Sequence, residues 1–72
     1  MDRNKLTLSN CLRFLADNMD NEGRCYIRVG AVLLEYDCED DEYVVYDKKG
    51  KESRFVDLIP AINELIGVVL YL

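Results

Sequence analysis

Six carboxylates fall between Glu35 and Glu42, namely Glu35, Asp37, Glu39, Asp40, Asp41 and Glu42, and no base interrupts them. Side chains crowded in this way can do three kinds of chemistry. They can shift one another's pKa and supply a general acid or base. They can hold a hard cation such as calcium through oxygen. They can also steer the chain toward a positively charged partner.

The first option has little support. The chain contains no histidine. Acid–base work at neutral pH would therefore fall to a shifted carboxylate, cysteine, lysine or tyrosine. Asp37 and Glu42 are the pair placed to perturb one another, but no pocket-forming motif accompanies them. Cys38 stands among acids, the setting least suited to a reactive thiolate. The second option lacks the D-x-[DN]-x-[DN]-G spacing and the glycine of a calcium loop. The expectation is no catalytic residue, no metal and no cofactor. What remains is a charged recognition surface.

The rest of the composition narrows the partner. Net charge is −5. Of the 14 acids, six are in the run described above, which leaves eight against nine bases elsewhere. The protein is a near-neutral domain with one acidic edge. Its basic stretch, Lys48, Lys49, Lys51 and Arg54, is short. Net negative charge opposes phosphate binding, so no direct nucleic-acid contact is expected. Cys11, Cys25 and Cys38 are odd in number and show no C-x-x-C spacing, which reads as reduced thiols in a cytoplasmic protein. The N-terminus is charged and has no apolar signal core. The apolar run from Ile66 to Leu72 is far shorter than the ~20 residues a bilayer requires.

Seventy-two residues make one small domain. Residues 1–5 read as a frayed leader. Thr7 or Ser9 can cap a helix, with Leu6 stapled on Cys11 if Thr7 is the cap. Leu8, Cys11, Leu12, Leu15 and Met19 form its apolar stripe, Phe14 flanks it, and Asn21-Glu22-Gly23 ends it. Residues 24–29 alternate as a strand. Gly30-Ala31 suits a type II′ hairpin turn, which sets Val29 against Val32, Ile27 against Leu34 and Cys25 against Tyr36. On the opposite face Tyr26 meets Glu35 and Arg24 meets Asp37. An even-length loop over Cys38 to Asp41 then pairs Leu34 with Val45, Tyr36 with Tyr43 and Asp37 with Glu42.

Asp47-Lys48-Lys49-Gly50 is a turn, and a short fourth strand over residues 52–56 follows it. Asp57 caps a second helix with Pro60 in its first turn. Its buried stripe reads Leu58, Ala61, Ile62, Leu65, Ile66 and Val69. Val68 to Leu72 can extend this helix or form a further strand, and the β-branched residues after Gly67 favour an extended end. The fold class is α+β in two layers, α-β-β-β-(β)-α, an antiparallel meander with both helices on one face.

That leaves an outer sheet face carrying Tyr26, Leu33, Val44 and Tyr46, rimmed by Glu35 and the acidic loop. An apolar centre with a charged rim is the anatomy of an interface. The functional expectation is a small non-catalytic interaction module that binds a partner protein's basic surface through these residues. One version is an inhibitor or adaptor that fills a nucleic-acid-binding groove, with carboxylates where phosphates would lie. Small acidic inhibitors of phages and other mobile elements, which act in the host-cell cytoplasm, offer an analogy of charge and size. The alternative is an obligate homodimer joined through the outer sheet faces. Because Asp37 faces Glu42, neutralising Glu39, Asp40, Asp41 and Glu42 is expected to leave stability unchanged or to raise it.

Overall fold

A computed structural model describes residues 3–17 and 26–71. The order is a 3₁₀ turn, Arg3–Lys5, then α1 (Leu8–Asp17), β1 (Tyr26–Val29), β2 (Val32–Asp37), β3 (Glu42–Tyr46), β4 (Glu52–Phe55) and α2 (Leu58–Tyr71). The four strands form one antiparallel sheet in the order β1-β2-β3-β4. The expected α+β architecture is present, and the fourth strand is real.

Each strand is placed by the turn before it. Gly30 has φ 62° while Ala31 keeps a negative φ, the pattern of a type II′ turn. Val29 therefore faces Val32, and Ile27 faces Leu34. The pairs involving Arg24 and Cys25 lie outside the described residues. The four-residue loop 38–41 keeps the even register, so Leu34 faces Val45, Tyr36 faces Tyr43 and Asp37 faces Glu42. Asp41 closes this loop with φ 55°, a left-handed conformation that aspartate tolerates better than most non-glycine residues. At the next turn Gly50 takes φ 83°, and Asp47 Oδ1 accepts hydrogen bonds from the backbone N–H groups of Lys49 (2.8 Å) and Lys51 (2.9 Å).

Period-2 alternation then sorts the side chains. Ile27, Val32, Leu34 and Val45 join Leu6, Cys11, Leu15, Ala61, Ile62, Leu65 and Val68 in one buried cluster. The sheet contributes one face to this core and both helices cover it. Thr7 is the N-cap of α1. Its Oγ1 accepts from Asn10 N at 3.2 Å and its carbonyl from Cys11 N at 2.9 Å. Leu6 and Cys11 are both buried, which completes the hydrophobic staple.

Three details differ from the sequence reading. Residues 3–5 form a turn tied to α1, because the Asn10 side-chain amide donates to the Lys5 carbonyl at 2.9 Å. Leu12 is 38% exposed, while Phe14 packs against the core. The buried face of α1 is thus turned toward the Phe14 flank. Met19 and the expected helix end at Asn21-Glu22-Gly23 lie outside the described residues. The largest correction concerns the C-terminus. Val68 to Tyr71 continue α2 and form no strand. Helical spacing carries the stripe Ala61, Ile62, Leu65 onward to Val68, which is buried. That burial outweighs the ~1 kcal/mol cost of a glycine inside a helix and the weak β preference of two valines.

Candidate functional site

The face of the sheet turned away from the helices carries Tyr26, Arg28, Leu33, Glu35, Asp37, Glu42, Val44, Tyr46, Glu52 and Arg54, as the strand registers require. At one end of it stands the acidic hairpin. In that hairpin Asp37 and Glu42 are direct cross-strand partners, an arrangement that is destabilising when nothing lies between the charges.

Arg54 lies between them. β4 pairs Arg54 with Val44, so its guanidinium reaches the carboxylates at the hairpin end. Nη1 is 3.1 Å from Asp37 Oδ2, 3.5 Å from Asp40 Oδ2 and 3.7 Å from Glu42 Oε1. Nε donates to Glu52 Oε2 at 3.2 Å. One cation therefore meets four carboxylates. The loop backbone adds to this, since Asp37 Oδ1 accepts from Glu39 N at 3.0 Å and from Asp40 N at 3.5 Å. On the other side of the sheet Tyr36 donates its hydroxyl hydrogen to Asp41 Oδ1, and its ring packs tilted on Tyr43 with centroids 5.3 Å apart. The hairpin is thus held from both faces.

These bonds set the protonation states. The Arg54 hydrogen bond, helped by the Glu39 N–H, holds the Asp37 carboxyl below its ordinary value. Arg54 is pushed up, first by Asp37. Tyr36 is pushed up to about 12, chiefly because it donates to Asp41. Tyr46 is raised by burial and then by its hydrogen bond to Glu35. Burial raises the Cys11 thiol. At the far turn, the backbone N–H of Lys51 leads in lowering Asp47. Each of these groups moves away from neutrality, whereas acid–base catalysis needs a pKa brought toward it.

The six acids fall into two sets. Asp37, Asp40, Asp41 and Glu42 are tied to Arg54 or Tyr36, and Glu35 acts on Tyr46, helping to raise its pKa. Glu39 is exposed, and its carboxylate has no partner among the described residues. The repulsion inferred from the Asp37–Glu42 pairing is therefore compensated. Neutralising all four loop acids would remove structural bonds together with solvated charge.

The apolar half of the expected surface is smaller than its composition suggests. Tyr26 is 56% exposed, and Leu33 and Tyr46 are half-buried. Val44 is 0% exposed and offers no contact surface. Strand pairing puts long side chains around it on this helix-free face. Glu35 and Arg54 are its direct partners and Tyr46 is two residues along its own strand. Their methylenes and rings cover apolar neighbours while the charged heads stay in water.

Arg54 is the residue the sequence reading missed. In sequence it stands with Lys48, Lys49 and Lys51 as one basic stretch. Its signal is positional, since the fourth strand's pairing alone places it beside Val44, two cross-strand steps from Glu35 and one diagonal short of Asp37. Among the described residues no three His, Cys, Asp or Glu side chains converge to hold a metal ion, and no helix is long and apolar enough to cross a membrane. Cys11 is buried and Cys38 is exposed. Compared with known proteins, the chain matches no family model, no curated protein and no solved structure.

Proposed function

We propose that this is a non-catalytic protein-interaction module of the cytoplasm. In this reading the acidic hairpin and the adjoining outer sheet face engage a basic surface on a partner protein, with Glu39, Asp40 and Glu35 supplying charge and Tyr26, Leu33 and Tyr46 supplying apolar contact. The observation that carries this reading is the fixed geometry of the hairpin. Arg54 and Tyr36 hold Asp37, Asp40, Asp41 and Glu42 in place before any partner arrives, and so fix the loop that presents Glu39. A preorganised surface loses less side-chain freedom on binding.

An inhibitor or adaptor that occupies a nucleic-acid-binding groove is one form of this function. The basic lining of such a groove is complementary to a row of held carboxylates. The test begins with affinity capture of the partner from the cells of origin and its purification. Calorimetric titrations at about 50 and 500 mM salt then follow, because surface charges are screened over ~8 Å or less at and above physiological salt. The expected result is affinity that falls steeply with salt and falls again for Tyr46→Asp. A homodimer through the same sheet face would instead sediment as a dimer at both salt concentrations and dissociate on Tyr46→Asp. That outcome would replace the proposed partner with a second copy.

A further inference from the structure

At the end of the sheet opposite the acidic hairpin, the 30–31 turn, the 47–50 turn and the last turns of α2 surround an open groove. Two adjoining hollows of about 340 and 410 Å³ share Val32, Lys48 and Val68. The floor is aliphatic, made by Val29, Val32, Val68 and Val69, and Lys48 and Lys49 stand on its rim. Gly30 and Ala31 form one wall with almost no side chain, which keeps the mouth wide.

The charge of this groove is positive. Asp47 also lines it, but its Oδ1 is committed to the backbone N–H groups of Lys49 and Lys51. Among the described residues Lys48 has no side-chain hydrogen bond or ion pair, and Lys49 makes none beyond its charge attraction to Asp47. The turn is therefore fixed chiefly by its backbone and sets two ammonium groups beside an aliphatic floor. α2 ends here as well, and its carbonyl end favours cations rather than anions. An anion in this groove must consequently be held by the lysines, with its apolar part on the valines.

We propose that this groove docks an extended segment of a partner protein in which aliphatic side chains alternate with carboxylates. The volume lies at the low end of the range for ligand sites, room for a few aliphatic groups and not for a large cofactor. In an extended segment, alternate side chains point to opposite sides, so leucines could seat on the floor while flanking acids reach the lysine rim. This surface is independent of the acidic hairpin, and its failure would leave the reading of that hairpin untouched.

The test is an amide NMR titration of the full chain with the synthetic octapeptide Ser-Gly-Leu-Asp-Leu-Asp-Gly-Ser, alongside a version with serine in place of leucine, and with octanoate. The expected result is saturable shifts at residues 29–32, 48–49 and 68–69 with the leucine peptide, and none with the serine version. A K48E/K49E variant should keep the wild-type spectrum elsewhere and bind at least about fivefold more weakly, the scale of two exposed charge contacts. Absence of shifts at millimolar peptide, shifts confined to the acidic end, or unchanged affinity in K48E/K49E would each overturn the proposal. Saturable binding of octanoate without the peptide would overturn it in favour of a lipid-like ligand.

Discussion

The 38–41 loop and the 47–50 turn stand at opposite ends of the sheet and rest on the same device. In each, an aspartate Oδ1 accepts two backbone N–H groups, Asp37 from Glu39 and Asp40, Asp47 from Lys49 and Lys51. In each, a left-handed residue turns the chain, Asp41 at φ 55° and Gly50 at φ 83°. The difference lies in what the remaining side chains do. At the acidic end Asp40 and Asp41 are bound to Arg54 and Tyr36, and Glu39 alone among the loop acids is left to solvent. At the basic end Lys48 has no side-chain partner among the described residues and Lys49 has only the charge attraction of Asp47. Charge is thus coupled to the fold at one end and separable from it at the other. The polarity also matches α2, which starts just after β4 at the acidic end and brings Val68 to the lysines. A helix favours anions at its start and cations at its end.

The largest effect that can break this comparison comes from the core both ends share. Leu34 and Ile62 are fully buried, so Leu34→Ala and Ile62→Ala should each destabilise by about 2–5 kcal/mol. Chemical denaturation measures this, and a change under about half a kcal/mol at either position would mean that the wrong face has been assigned to the core.

Arg54→Gln comes next. It leaves four carboxylates facing one another, so the melting temperature should fall and recover in part with added salt, while K48Q/K49Q should melt like the wild type. Equal melts for both variants would erase the contrast between the ends.

Acid should destabilise both ends. Asp37 and Asp47 have depressed folded pKa values. Their stabilisation is therefore present above the unfolded carboxylate value of ~3.9 and is lost as pH falls through the folded values. Asp37→Asn should lower stability at pH 7 and flatten the acid side of the stability–pH curve. The smallest effect concerns α2, which links the two ends. An added Cβ at Gly67 meets nothing within 4 Å, so Gly67→Ala should stabilise by about 0.5–1 kcal/mol if the C-terminus is helical. A loss of stability would favour the extended end.

Most of the fold was legible because two-residue periodicity and turn chemistry are local. Gly30-Ala31 and the even 38–41 loop set every strand pair between Ile27 and Tyr46. The C-terminus was misjudged because Gly67 and the valines after it carry weak local signals, and the burial of Val68 is a tertiary fact. The acidic run was equally legible, but its organisation was not. The carboxylates are clustered in sequence, whereas the Arg54 that binds them is supplied by a strand whose pairing no local signal fixes. Val44 was misread for a related reason, since alternation gives a side chain's face and not how well its neighbours cover it.

The most direct test of the acidic hairpin as the binding surface is the association rate with the purified partner at low salt. Glu39 carries the solvated charge of the loop and can be changed without touching Arg54 or Tyr36. Glu39→Lys should melt like the wild type and associate at least about threefold more slowly, the difference vanishing at high salt, while Lys48→Gln associates as fast as the wild type. Wild-type association by Glu39→Lys at low salt would contradict the assignment of this surface.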